Sequence, residues 1–311
     1  MPAAPAGPLS SSRLDLQVTG PKHTLTSSIL SGLCSLTRLA LTCTSIDPAA
    51  LAGKNQLQRL ELARNPGDTS IAGGSAGIGQ LLAQLQHLTS LTHLDLERCL
   101  CYLVAEDPPA TGFAALTASS KLQHLDISDC LLPEGAWQHV FPAGRQLPHM
   151  RSLVLAWVSS SVCKLHPNRG VADGQWEPVI GPAAFDSSVV SCCPGLQHLD
   201  LTLTQCSKGL LDVLPELSKL TLLKLGVVDG VSGRDVLESV CQLTGLINLQ
   251  LDSPAADPAD LLLLAPMQQL THFCRRSEVR HSFFNPETRI SRCFWSTMVG
   301  SCCFCYCIAF I

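Results

Sequence analysis

The sequence predicts an elongated α/β solenoid, in which short parallel strands stack into one sheet and helices or loops return along its opposite side. Two observations support this prediction. A pattern of the form LxxLxLxxC, where each L accepts any aliphatic residue, recurs along the chain, and its clearest copy runs from Leu122 to Cys130. Leucines at helical spacing precede some copies, as at Leu81, Leu82, Leu85 and Leu88, and at Leu210, Leu211, Leu214 and Leu217.

The spacing of the pattern has a physical reason. Residues two apart on a strand share a face, so the LxL pair points into the core while its neighbours point to solvent. The first aliphatic residue enters the same core from the preceding turn, and Leu14 and Leu16 fit a degenerate early copy. The copies begin at Leu36, Leu57, Leu91, Leu122, Met150, Leu196, Leu220, Leu246 and Leu270, and all but the last are complete.

This pattern resembles the leucine-rich repeat, whose usual period is about 20–29 residues. The resemblance covers roughly residues 30–274, and the segment from Cys193 to Leu196 is similar to the CPxLxxLxL of cysteine-containing repeats in F-box substrate receptors. The resemblance to cytosolic, ribonuclease-inhibitor-like proteins of this class implies a horseshoe with a concave parallel β-sheet and convex helices or loops. No F-box helix bundle is evident ahead of the repeats.

Composition divides the chain into three parts. Residues 1–20 are rich in Pro, Ala and Ser and are predicted to be disordered, whereas residues 21–275 form the repeat domain with an insertion near 159–181. Arg275 stands at a core position, so the pattern fails there, and residues 276–311 form a non-repeat, Cys-rich hydrophobic tail. Residues 293–311 carry no charge, which leaves three interpretations open: a membrane anchor, an S-acylated tail, or an unselected end.

Charge and cysteine usage favour a cytosolic protein. The net charge of −4 and the 15% of charged residues give no basic footprint for nucleic acid. The start of the chain lacks the charged region and apolar run of a signal peptide. Sixteen cysteines are present, but Cys99 and Cys130 occupy the turn position of the repeat, which predicts partly buried thiols rather than disulfides.

A glycine-rich segment raises the alternative of an enzyme. Residues 73–79 resemble the cofactor loop of short-chain dehydrogenases, which has the form GxxxGIG ahead of a helix. Such an enzyme needs a Tyr-x-x-x-Lys pair, but Tyr102 and Tyr306 are followed four positions later by Glu106 and Phe310. We therefore interpret the segment as a loop entering a convex helix, and we predict that the protein is not an enzyme and needs no cofactor.

The register of the repeat predicts two columns of side chains on the concave face, since neighbouring strands lie about 4.8 Å apart. The first column is basic or His-rich and the second acidic over the first half, and both become apolar near Val154 and Trp157. Trp157 is the predicted anchor, because Trp is favoured at interface hot spots. The candidate partner-binding residues are Arg38, Arg59, Glu61, Arg64, His93, Asp95, Arg98, His124, Asp126, Asp129, Trp157, His198 and Asp200.

The histidines and aspartates in these columns allow two interpretations. His93, Asp95, His124 and Asp126 carry four N and O donors that a divalent ion such as zinc could use. The favoured interpretation is ion pairing on a solvated sheet face, without a metal.

The sequence therefore predicts a cytoplasmic scaffold that binds a protein partner, with two settings implied by the resemblance: the cytoskeleton or axoneme, and a ubiquitin-ligase substrate receptor. The alternative is a membrane-tethered receptor or anchor that uses residues 293–311.

Overall fold

The computed structural model describes residues 14–20, 24–42, 45–63, 71, 74–100, 108–133, 135–156, 158, 160–163, 178–181, 188–202, 204, 206–226, 228, 230–251, 258–275 and 304–306. Its main element is an eleven-stranded sheet, in which ten strands run parallel and follow one another in chain order. The parallel strands are β1 (Leu14–Thr19), β3 (Leu36–Thr42), β5 (Arg59–Ala63), β6 (His93–Asp95), β7 (His124–Asp126), β8 (Ser152–Val154), β11 (His198–Leu201), β12 (Leu222–Leu225), β13 (Asn248–Leu251) and β14 (His272–Arg275).

Every complete copy of the repeat supplies one of these strands, and its aliphatic residues form a continuous core. In the copy at Leu122, for example, Leu122, Leu125 and Ile127 are each at most 1% exposed. The same three positions are buried in the copies at Leu57, Leu91, Met150, Leu196, Leu220 and Leu246. A single repeat could not enclose its own leucines, so the repeats stack and share one core. The predicted α/β leucine-rich-repeat solenoid is therefore confirmed.

Helices and 3₁₀ segments cover the side of the core opposite the sheet. The α-helices are α1 (Ser27–Leu30), α2 (Gly74–Leu85), α3 (Ala136–Val140), α4 (Ser188–Cys192), α5 (Lys208–Val213) and α6 (Gly233–Val240), and the 3₁₀ segments are Pro48–Leu51, Ala110–Thr117, Leu214–Glu216 and Pro258–Leu264. The leucines predicted to form convex helices are buried here. We call the opposite, sheet surface the concave face.

The N-terminal boundary differs from the prediction. Strand β1 pairs in parallel with β3, so the degenerate copy at Leu14 and Leu16 is part of the sheet and the repeat domain begins before residue 21. Leu16 and Val18 pack against the core, and this burial explains why a segment beside a Pro- and Ala-rich stretch is ordered. Residues 1–13 lie outside the described residues.

Three short strand pairs complete the described chain. Strands β2 (Thr24–Leu25) and β4 (Ser45–Ile46) pair in parallel beside the first repeats. Strands β9 (Ser160–Cys163) and β10 (Pro178–Gly181) pair antiparallel, so the two ends of the predicted insertion lie side by side. Strand β15 (Phe304–Tyr306) pairs antiparallel with β14 at the last repeat. The part of the chain that the structure describes holds no helix long and apolar enough to cross a membrane.

The turn position of the repeat has a hydrogen-bonding role. The Cys99 and Cys130 side chains are 3% and 0% exposed. The Cys99 thiol donates to the Leu62 carbonyl oxygen at 2.6 Å, and the Cys130 thiol donates to the Leu96 carbonyl oxygen at 3.3 Å. Each thiol therefore ties its turn to the preceding repeat, and burial is more complete than the sequence predicted.

Candidate functional site on the concave face

Two columns of side chains cross the concave face, because the parallel register aligns equivalent positions of successive repeats. The first column consists of Arg38, Arg59, His93, His124, Ser152 and His198. The second column consists of Ala40, Glu61, Asp95, Asp126, Val154 and Asp200. The order of the predicted columns is confirmed by this register.

Two members of the second column do not face solvent as predicted. Ala40 and Asp200 are each 4% exposed. The Ala40 methyl group is too short to reach past the longer Gln17 and Glu61, which flank it in register on β1 and β5. Asp200 is covered because its carboxylate is bonded within the protein. Arg64 and Trp157, the predicted anchor, lie outside the described residues.

Arginine and glutamate pair at the N-terminal end of the face. The Arg38 guanidinium donates to Glu61 Oε1 at 3.2 Å, and the Arg59 Nε donates to the same oxygen. Partial burial raises the pKa of Glu61, but the hydrogen bond and charge of Arg59, together with the charge of Arg38, outweigh it, and the net pKa lies below its ordinary value. Glu61 therefore stays ionised and holds both arginines on the face.

The next two members of the first column are stacked. The His93 and His124 rings lie 4.1 Å apart between centroids and are inclined by only 10°. Burial, and then the charges of His124 and Arg59, lower the pKa of His93 to about 4. Burial also lowers the pKa of His124, and the opposing charge of Asp126 offsets this only in part. Both rings are consequently neutral at pH 7.

The aspartates of the second column close the turns that follow the strands. Asp95 Oδ1 accepts a hydrogen bond from the Glu97 amide at 3.0 Å, and Asp126 Oδ1 accepts one from the Ser128 amide at 2.8 Å. In the later repeat, Asp200 Oδ1 accepts from the Thr202 amide at 3.0 Å. A short carboxylate side chain suits this local bond two residues along the chain. These residues therefore shape the repeat, and Asp95 and Asp126 are in addition partly exposed on the concave face.

Within the described residues, Asp95 and Asp126 differ from Asp200 in having no cationic side chain beside them. Lys224 Nζ lies 2.7 Å from Asp200 Oδ2. Burial raises the pKa of Asp95 to about 6; the Glu97 amide opposes the rise, and the negative charges of Asp126, Glu97 and Glu61 add to it. Desolvation and the like charge of neighbouring carboxylates disfavour the ionised form of a carboxylate that has no cation beside it.

Arg98 and Asp129 occupy equivalent positions just beyond β6 and β7. Both have left-handed backbone conformations, with φ of 60° and 55°. Arg98 Nε lies 2.7 Å from Asp129 Oδ2 and 3.6 Å from Glu97 Oε1. Residues other than glycine seldom adopt this left-handed backbone conformation. Here the turn that leads into the buried cysteine adopts it in both repeats. The two predicted residues form one ion pair at the rim of the face.

The sequence did not identify two further contacts of this face. The Ser152 hydroxyl lies 3.2 Å from His198 Nδ1, across β8 and β11. Lys224 on β12 neutralises Asp200, and opposite charges at the same register of adjacent strands would have indicated this pair. Burial lowers the pKa of His198. His198 and Asp200 are thus engaged within the protein.

The alternative sites are not supported by the geometry. Across the described residues, no group of three or more His, Cys, Asp or Glu side chains is placed to hold a metal ion. The imidazoles of His93 and His124 face each other rather than a common centre. The glycine-rich segment was predicted to be a loop entering a convex helix. The helix is present, but it begins earlier than predicted, at Gly74, and Ile78 within it is buried because the helix packs on the core.

The repeats, the parallel sheet and its polar columns define a leucine-rich-repeat protein. No protein-family model matches the chain, and no curated protein sequence matches it.

Several solved structures are similar to the chain. An internalin from Listeria monocytogenes is 19% identical, with a TM-score of 0.38 over 78% of this chain and 75% of the internalin. A leucine-rich-repeat protein of Leptospira interrogans is 14% identical, with a TM-score of 0.35 over 80% of this chain and 69% of that protein. A chain of the mouse RP105/MD-1 complex is 17% identical, with a TM-score of 0.41 over 80% of this chain and 40% of that one.

Proposed function

We propose that this protein is a non-catalytic scaffold that binds a protein partner on its concave face, between β3 and β11. The observation that carries the proposal is the pair of polar columns, which the register holds on a preformed sheet. A rigid face that already presents charged and aromatic groups binds without a large ordering cost. Its charged side chains steer the encounter and set specificity.

Site-specific photo-crosslinking tests this proposal. A photo-reactive residue replaces Ser152 at the centre of the concave face, and in a second variant it replaces Glu216, which is exposed on the convex side. We expect a partner that crosslinks from position 152 and not from position 216. The charge reversal Asp126→Arg should abolish this crosslink, whereas the matched reversal Asp212→Arg on the convex side should preserve it.

The opposite pattern contradicts the proposal. Equal crosslinking from both positions, or none from position 152 in a folded protein, would place binding in the insertion, on the convex side or in the tail. A crosslink from position 152 that survives Asp126→Arg would leave the partner on the face but exclude Asp126 from the contact. Replacing Trp157 with Ala in the same assay tests the predicted anchor.

We further propose a cytoplasmic setting, because Cys99 and Cys130 are buried at the turn position of the repeat, where each side chain donates a hydrogen bond to a carbonyl oxygen of the preceding repeat. A thiol used in this way suits a reducing compartment. The scaffold would serve the cytoskeleton or axoneme, or would act as a substrate receptor of a ubiquitin ligase. Retention of the protein with detergent-insoluble filaments supports the first setting. Co-purification with a ligase adaptor, lost in Asp126→Arg, supports the second.

A second candidate function is membrane tethering through residues 293–311, which carry no charge over nineteen residues. Of these residues, the structure describes only Phe304–Tyr306. Sedimentation with membranes that disappears when 293–311 are deleted would support tethering. A full-length protein that stays in the soluble fraction would contradict it.

A further inference from the structure

The concave face neutralises most of its charged groups internally. Arg38 and Arg59 share Glu61 at one end, and Lys224 neutralises Asp200 at the other. At the rim, Arg98 pairs with Asp129. Arg38, Arg59, Arg98 and Lys224, which are the cations described on and beside this face, are therefore already bound to carboxylates.

The group between these pairs is different, and we call it the His-Asp patch: His93, Asp95, His124 and Asp126. The two carboxylates accept hydrogen bonds only from backbone amides of their own turns, and no cationic side chain of the described residues contacts them. The two imidazoles contact each other and have no hydrogen-bonding partner in the described part of the chain. Asp95 and Asp126 are aligned in register on adjacent strands, as are the histidines.

This arrangement is rich in acceptors and poor in donors. The carboxylates stand on neighbouring strands, and neighbouring strands of a sheet lie about 4.8 Å apart. Each neutral imidazole offers one unprotonated nitrogen. The stacking of His93 on His124 fixes both rings at the surface of the sheet, so the acceptors are held in place before a ligand arrives.

We propose that the His-Asp patch receives an arginine side chain of the protein partner, with its guanidinium between Asp95 and Asp126. A guanidinium carries five N–H donors in a planar fork, which suits two carboxylates on adjacent strands with imidazole acceptors beside them. This inference rests on the proposed function, because it specifies what the partner places on the concave face.

Electrostatics supports the same conclusion. Burial, with the neighbouring negative charges of Asp126, Glu97 and Glu61, raises the pKa of Asp95 to about 6. A bound cation relieves this repulsion, whereas an anionic or apolar group would increase it or leave it unchanged. The neutral histidines provide no positive charge to take its place.

An NMR titration of the whole protein tests the inference. The probe is the peptide acetyl-Gly-Arg-Gly-Arg-Gly-amide, added at pH 7.5 and low ionic strength while the ring signals of His93 and His124 are followed. A second peptide replaces both arginines with citrulline, which keeps the shape of the side chain and removes its charge. A third titration uses calcium chloride alone.

We expect the arginine peptide to shift both histidine signals in a saturable way. The citrulline peptide should bind at least about tenfold more weakly, because it cannot form charge-assisted hydrogen bonds. The double variant Asp95→Asn/Asp126→Asn should abolish the shifts, and because asparagine still accepts the turn hydrogen bonds, it should fold. The control Asp212→Asn/Glu216→Gln removes two exposed convex carboxylates and should bind the peptide as the wild type does.

Three results would overturn the inference: equal binding of both peptides, peptide binding that survives the Asp95→Asn/Asp126→Asn change, or shifts that calcium alone reproduces and the peptide does not. These results are separable from failure of the proposed function. If the partner still crosslinks from position 152 but the arginine peptide does not bind the His-Asp patch, the concave face binds its partner through other residues.

Discussion

His93 and His124 stand on adjacent strands with their rings stacked at 4.1 Å. Burial, with the charges of His124 and Arg59, lowers the pKa of His93 to about 4, below its ordinary 6.5. We predict that the His93 ring signal, followed by NMR against pH, titrates well below the signal of histidine in the unfolded chain. A His93 titration near 6.5 in the folded protein would contradict the packing of the two rings.

His93 and Asp95 should affect stability in opposite directions over the same pH range. The pKa of His93, lowered from 6.5 to about 4, means that the unfolded chain binds more protons in that window, so acidification lowers the free energy of unfolding. The pKa of Asp95, raised from 3.8 to about 6, means that the folded protein binds more protons, so acidification raises the free energy of unfolding.

Replacing either His93 or Asp95 should therefore reveal how the other residue changes the free energy of unfolding with pH. From pH 6 to pH 4, Asp95→Asn should lose free energy of unfolding more steeply than the wild type, and His93→Gln should lose it less steeply. Urea unfolding at a series of pH values measures both slopes. Parallel profiles for the three proteins would show that neither shift is present.

The aspartates of the second column should separate into structural and partner-facing residues. Asp200→Ala removes the contacts to Thr202 and leaves Lys224 without its counter-ion, and it should cost about 2–4 kcal/mol of unfolding free energy. Asp126→Ala removes one turn hydrogen bond and should cost about 1 kcal/mol. Urea unfolding tests this order, and equal costs would contradict it.

Gly226 should tolerate no side chain. A Cβ atom there would lie 2.3 Å from the Thr204 carbonyl oxygen and 2.5 Å from the Leu201 carbonyl oxygen, both backbone atoms. Gly226→Ala should lower the free energy of unfolding by about 2–3 kcal/mol, since the backbone must shift. The control is Gly245→Ala, whose nearest atom, the Ser218 carbonyl oxygen, is 3.6 Å away. Similar unfolding midpoints for both variants would contradict the close approach.

Cysteine reactivity should follow burial. Cys34 is exposed, whereas Cys99 and Cys130 are buried and bonded to carbonyl oxygens of preceding repeats. Brief alkylation of the native protein, mapped by mass spectrometry, should modify Cys34 and leave the other two unmodified. In denaturant all three should react. Native labelling of Cys99 or Cys130 would show that the turn position is open to solvent.

The fold could be predicted from the sequence because the same aliphatic spacing recurs in every complete copy of the repeat. Each copy places three aliphatic residues at spacings that only a strand and its preceding turn can bury together, and the register of Arg59, His93 and His124 follows from that alignment. The early strand at Leu14 was harder to predict as ordered, since it adjoins a segment rich in Pro, Ala and Ser and its stability comes from packing on β3.

The sequence by itself determined the repeat, the order of the columns and the identity of the side chains in them, because strand periodicity and parallel stacking leave one register for the leucines. The register aligns Asp200 with Lys224, but only the tertiary structure decided which of the aligned side chains are in contact. Asp95, Asp126 and Asp200 occupy the same position of their repeats, yet only Asp200 meets a lysine, Lys224, on the next strand. Whether a carboxylate is neutralised depends on the length and direction of neighbouring side chains, which a periodic pattern does not specify.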